Sequence, residues 1–162
     1  MLTREIRDIK TVEKGIIGHG VNCQGVMGAG VAAVIKKKYP IIYSKYKEYV
    51  YLNSQINKDP CTLLGKVQIV DINDELVICN CFTQESYGND GKVYADLISV
   101  IEVIETMLLL GREKQCAVYI PPIGCGLGGL QLDDELLLIL EELCGKESSE
   151  YYDVDLHLVD LE

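Results

Sequence analysis

Gly18-His19-Gly20-Val21-Asn22-Cys23-Gln24-Gly25-Val26-Met27-Gly28-Ala29-Gly30-Val31-Ala32-Ala33-Val34-Ile35-Lys36-Lys37-Lys38 is the stretch that decides how the rest of the chain is read. Ile16 and Ile17 precede it as the start of a buried strand ending near His19. Val31, Val34 and Ile35 follow at the apolar spacing of a helix that starts near Gly28 and stops before Pro40. A strand, a glycine loop and a helix N-terminus in succession form a candidate anion site, because the first amides of a helix lack internal partners and carry about half a positive charge, although glycine-rich loops also occur as plain turns.

Outward from there, strands and helices alternate. Residues 2–7 read as an edge strand closed by a turn at Asp8, and residues 41–52 as a second helix with Ile42, Tyr43, Tyr46, Tyr49 and Val50 at helical spacing. Strands at 65–71 and 75–81 meet at the Asn73-Asp74 turn as a hairpin. A glycine-rich loop over 82–92 leads to a helix over 93–110, for which Gly111 is the natural C-cap. A buried strand over 116–121 runs into a second glycine loop, 123–131, and then a helix over 133–144 closed by Gly145. A strand over 154–160 ends the order. The expected class is α/β, a mixed sheet covered on both faces within one domain spanning 1–162.

The 162 residues carry a formal charge of −10, which argues against non-specific binding to nucleic acid or to an anionic membrane. No apolar run approaches a membrane span and no signal-peptide pattern follows Met1, so a soluble, cytoplasmic protein is expected. Seven cysteines without paired CxxC spacing read as reduced thiols, and no metal site or cofactor is expected. Lys36, Lys37 and Lys38 read as a solvated helix end that suits the helix dipole.

The two glycine loops each follow a buried strand. Ligands of open α/β sheets sit beyond strand C-termini, so Gly28-Ala29-Gly30-Val31 and Gly124-Cys125-Gly126-Leu127-Gly128 suit one diphosphate held from two sides. A dinucleotide fold is rejected, although Gly28 to Ala33 formally fits G-x-G-x-x-A. Eight residues separate His19 from Gly28, and the acidic residue expected at the end of a second strand is missing. A Walker loop is absent as well.

Three spaced motifs carry a resemblance across the whole chain: His19 to Ala32, Asn80-Cys81-Phe82-Thr83-Gln84-Glu85-Ser86-Tyr87-Gly88, and Pro121-Pro122-Ile123-Gly124-Cys125-Gly126-Leu127-Gly128-Gly129. Together they resemble the macro domain. The resemblance implies a three-layer fold, with a mixed, roughly six-stranded sheet between helices and an ADP-ribose cleft along its crest. By the family pattern Asp8 takes the adenine amine with Ile9 beside it, and Asn22, with Gln24 nearby, holds the distal ribose. Loop 28–31 faces that ribose and the diphosphate, which loop 124–128 wraps.

Within the family the chain is most similar to the branch of the yeast ADP-ribose 1″-phosphate phosphatase and the terminal ADP-ribose protein glycohydrolase. The glycohydrolase's lysine and aspartate positions read here as Gln84 and Gly128, which removes its lysyl-adduct chemistry. The phosphatase pattern fits better. It implies a catalytic pair in which Asp90 orients water and His19 protonates the leaving 1″ oxygen, with Asn80 and Asn22 positioning the ribose; the reverse assignment is equally compatible. Removal of ADP-ribose from a modified macromolecule is the second expectation, and a reader of ADP-ribose without turnover the third.

Overall fold

The computed structural model describes residues 1–160. Six strands form one sheet in the order β1-β6-β5-β2-β4-β3, with β1 at Leu2–Ile6, β2 at Gly15–Asn22, β3 at Val67–Asp71, β4 at Leu76–Gln84, β5 at Val118–Ile120 and β6 at Leu156–Asp160. Every neighbouring pair is parallel except β3 and β4, the expected hairpin. Asn73 sets its turn: its Oδ1 accepts from the amides of Glu75 and Leu76 at 2.8 and 2.9 Å.

Helices cover both faces, as parallel sheets require. On one face lie α1 (Gly30–Lys38) and α2 (Pro40–Ile56), whose Ile35, Ile42 and Tyr46 pack on Ile17, Val21, Ile78 and Phe82. On the other lie α3 (Leu97–Lys114) and α4 (Leu137–Leu140), packed on Ile16, Cys79, Cys81, Ile120 and Leu158. Val100, Val103, Ile104, Met107 and Leu108 recur along α3 at helical spacing and are completely buried, each contributing about 1.5–3 kcal/mol.

Several boundaries differ from the sequence reading, each for a local reason. Pro40 both halts α1 and occupies the first turn of α2, where its missing N–H costs nothing, and α2 runs on to Ile56. The third helix starts later than residue 93, because Asp96 caps it by accepting from the Ser99 amide at 3.0 Å. It also passes through Gly111. That glycine is no cap but a contact point, since a Cβ there would lie 2.9 Å from Val118 and 3.0 Å from Val154; the left-handed cap is Gln115 at φ 53°. The helix expected over 133–144 has a regular α turn only at Leu137–Leu140, with wider π turns over 132–136 and 141–145.

Candidate functional site at the strand C-termini

The five mutually parallel strands end at one edge of the sheet. That edge gathers the segment after β1 with Asp8, the loop after β2 with Asn22 to Val31, the loop after β4 with Gln84 to Ala95, and the loop after β5 with Pro121 to Leu130. The chain leaves β2 toward α1 on one face and leaves β5 and β4 toward the opposite face. A crevice therefore opens between neighbouring strands β2 and β5, where connections diverge.

Both walls offer unused backbone donors. Among the described residues the amides of Gly28, Ala29, Gly30, Val31 and Ala32 have no acceptor, and Ala29, the N-cap of α1, makes no side-chain cap. Across the crevice the Gly126 and Leu127 amides open a 3₁₀ turn and likewise find no backbone acceptor. This second loop depends on glycine. Gly124 and Gly126 stand at φ 77° and 63°, and a Cβ on Gly124 would lie 2.7 Å from Leu130, whereas one on Gly126 would meet open space. Leu127 is 54 % exposed at the loop tip.

Asn22 organises the first loop. Its Nδ2 donates to the Val26 carbonyl at 2.8 Å, and its Oδ1 accepts from the Gln24 amide at 2.9 Å and the Tyr46 hydroxyl at 2.8 Å. The same hydroxyl lies 2.6 Å from the Asn22 carbonyl. These bonds occupy the side chain expected to hold a ribose. Gln24 is exposed, and its Nε2 donates to the Glu85 carbonyl at 3.1 Å, which ties the loop to the end of β4.

At the far side of the edge, the Asp8 carboxylate caps a short 3₁₀ turn and lies 3.1 Å from the Lys10 ammonium. Partial desolvation pushes its pKa up, but the Lys10 hydrogen bonds and charge outweigh that and leave it below the usual carboxylate range. Ile9 is only 3 % exposed and its side chain belongs to the core. Cys125 keeps its proton: burial, followed by the charges of Glu135 and Asp160, raises its pKa to about 11.

The structure does not bring His19 and Asp90 together. His19 alternates with Ile17 and Val21 on the face under α2 and is completely buried, opposite Asn80 on β4. Its Nε2–H donates to the Asn80 Oδ1 at 2.6 Å, its Nδ1 has no partner, and the Asn80 amide donates to Gln68 Oε1 at 3.0 Å. Burial holds the imidazole pKa down to about 4, so it is neutral at physiological pH.

Asp90 instead is exposed in the loop after β4. It accepts from the Tyr94 hydroxyl at 2.8 Å and the Lys92 amide at 3.2 Å, with the Lys92 ammonium 3.6 Å away, and these bonds hold its carboxyl below the usual range. The loop is clamped to the second glycine loop, since the Tyr94 and Ala95 amides both donate to the Gly128 carbonyl at 2.9 Å. Lys92 and Tyr94, which sequence reasoning did not single out, are thus the neighbours that fix the Asp90 carboxylate. A Cβ on Gly128 would sit 3.4 Å from Gln84 Oε1, so those two positions do face each other. No three His, Cys, Asp or Glu residues gather as a metal site among the described residues, and no described helix is long and apolar enough to cross a membrane.

No protein-family model matches the chain. The ADP-ribose 1″-phosphate phosphatase of Scheffersomyces stipitis is 38% identical over 132 residues, which are 69% of this chain and 74% of that protein. The DNA ADP-ribosyl glycohydrolase of Mycobacterium tuberculosis is 30% identical over 141 residues, 83% of this chain, which spans only 36% of that longer relative. In three dimensions the macrodomain of Mycobacterium tuberculosis DarG superposes with a TM-score of 0.73 at 25% identity, covering 100% of this chain and 98% of that one. With the sheet order, the crevice and these relatives in agreement, the chain belongs to the macro domain family.

Proposed function

We propose that the chain binds ADP-ribose along the crest and hydrolyses ADP-ribose 1″-phosphate to ADP-ribose and phosphate. The observation that carries this reading is the pair of facing donor sets, Gly28 to Ala32 and Gly126 to Leu127, with no acceptor of their own at one sheet edge. A diphosphate supplies acceptors for both, each charge-assisted bond contributing about 1.5–3 kcal/mol. Asp8 lies beyond them for the adenine amine, and the Asn22 loop for the distal ribose.

The loop clamped to Gly128 provides the groups that a phosphomonoester needs. Asp90, exposed and ionised, orients the attacking water and takes its proton. The Tyr94 hydroxyl, which donates to Asp90, fixes that carboxylate's orientation, and the nearby Lys92 ammonium supplies positive charge to offset the phosphoryl group as the water–phosphorus bond forms and the bond from phosphorus to the 1″ oxygen breaks. The leaving oxygen takes its proton from solvent in this open site. His19, sealed beneath α2, positions rather than reacts: it ties β2 to β4 directly below the start of the first loop.

The second reading is removal of ADP-ribose from a modified macromolecule, favoured by the identity to the mycobacterial glycohydrolase. The Gln84–Gly128 juxtaposition supports it only for direct attack by water, because neither an amine nor a carboxylate is present there. The deciding experiment supplies ADP-ribose 1″-phosphate and measures free phosphate, beside a calorimetric titration with ADP-ribose. Phosphate release that Asp90→Asn abolishes with ADP-ribose affinity intact supports the phosphatase; release from ADP-ribosylated protein or nucleic acid alone supports the second reading.

A further inference from the structure

Tyr46 stands on α2, one layer beneath the crest, completely buried and with its ring centre 5.9 Å from that of Phe82. A phenylalanine would fill the same pocket. What the hydroxyl adds among the described residues goes to the first glycine loop alone: it lies 2.6 Å from the Asn22 carbonyl and 2.8 Å from the Asn22 Oδ1, and it accepts from the Gly25 amide at 3.1 Å. One proton shared between two Asn22 oxygens and one lone pair given to Gly25 use the capacity of a tyrosine hydroxyl well.

These bonds divide the amides of the loop into two sets. Gln24 and Val26 donate to the Asn22 Oδ1 at 2.9 and 3.4 Å and Gly25 donates to Tyr46, so three successive N–H groups turn inward. From Gly28 to Ala32 the amides have no acceptor and remain for a ligand. Gly25, at φ 83°, is the bend that lets the chain pass from one set to the other. The Asp8 segment and the second glycine loop make no bond to Tyr46, so a ligand depends on this residue only as far as it lies on the first loop.

We infer that Tyr46 is a positioning residue for the diphosphate and distal ribose: its hydroxyl holds the first glycine loop in the shape that presents its free amides, and thereby sets the preference for ADP-ribose over adenosine 5′-monophosphate. The inference rests on the ADP-ribose reading above for the identity of the ligand. Tyr46 itself touches no reacting atom.

The test compares the wild type with Tyr46→Phe in calorimetric titrations with ADP-ribose and with adenosine 5′-monophosphate, which lacks the distal half. ADP-ribose affinity falls about tenfold, as expected for one buried hydrogen-bonding group removed, while affinity for the monophosphate changes less than about twofold. Amide exchange of the ligand-free proteins, followed by NMR, is the second readout: the Gly25 amide exchanges at least about tenfold faster in Tyr46→Phe, whereas Ile17 and Ile78 in the strands stay protected, which also shows that the variant is folded. Equal ADP-ribose affinity in the two proteins, an equal loss for both ligands, or an unchanged Gly25 amide overturns the role of Tyr46 and leaves the crest reading standing. A wild type that gives no heat with ADP-ribose overturns both.

Discussion

The His19 ring nitrogen and the Asn80 amide oxygen face each other at 2.6 Å across two parallel strands, both completely buried beneath α2. With its folded pKa near 4, well below the ordinary value of 6.5, the imidazole is taken up by the fold in its neutral form. A depressed pKa contributes stability that is fully present above about pH 6.5 and is lost as pH falls toward 4. The loss is about 3 kcal/mol at 1.36 kcal/mol per pH unit. Urea unfolding of the wild type between pH 7 and 4 shows this decline; in His19→Phe the decline is smaller by about that amount.

Asp90 lies outside the core and carries the opposite expectation. Its carboxyl is held below the usual range, chiefly by the Tyr94 hydroxyl, so it stays ionised as pH falls from 7 to about 5, and any change in the rate of phosphate release over that window follows the substrate's own phosphate, whose second pKa is about 6. Asp90→Asn lowers kcat by about a hundredfold or more, and Lys92→Ala lowers it less, both without a change in the heat of ADP-ribose binding. Full activity in Asp90→Asn would remove Asp90 from the mechanism.

Ala29 is the N-cap of α1 with an extended backbone and nothing to accept from the amides behind it. Ala29→Asp supplies its own acceptor, which raises the stability of the free protein by about 1 kcal/mol. The same carboxylate competes for the diphosphate's donors and repels it, so ADP-ribose affinity falls about ten- to a hundredfold. Thermal unfolding and calorimetry on one sample check both signs.

The second glycine loop separates packing from binding. Gly126→Ala places a methyl in open space at positive φ and costs about 1–2 kcal/mol of strain, with most of its effect on ligand affinity. Gly124→Ala adds a collision with Leu130 to similar strain and destabilises more; denaturant midpoints of the two variants order them.

Much of this was legible in the residues. Glycine loops after buried strands, the Asn73-Asp74 hairpin and the alternation of strands with helices all follow from local chemistry, and they place both donor sets at one sheet edge. Strand parity carries the burial of His19 as well: it shares its face with Ile17 and Val21, two core residues, so its side chain points under a helix. Gly111 looked like a helix end because glycine after an apolar run often is one; only the nearness of Val118 and Val154 shows that its missing side chain serves packing. The Tyr46–Asn22 contact joins a helix to a loop 24 positions earlier in the chain, which spacing along the helix does not reveal.

The Tyr46 hydroxyl bonds both the carbonyl and the side chain of Asn22, so one phenol on α2 fastens the loop that forms half of the crest. Tyr46→Phe cuts this tether while leaving the ring in its pocket, so the first glycine loop is held from below only through Asn22's own bonds to Gln24 and Val26.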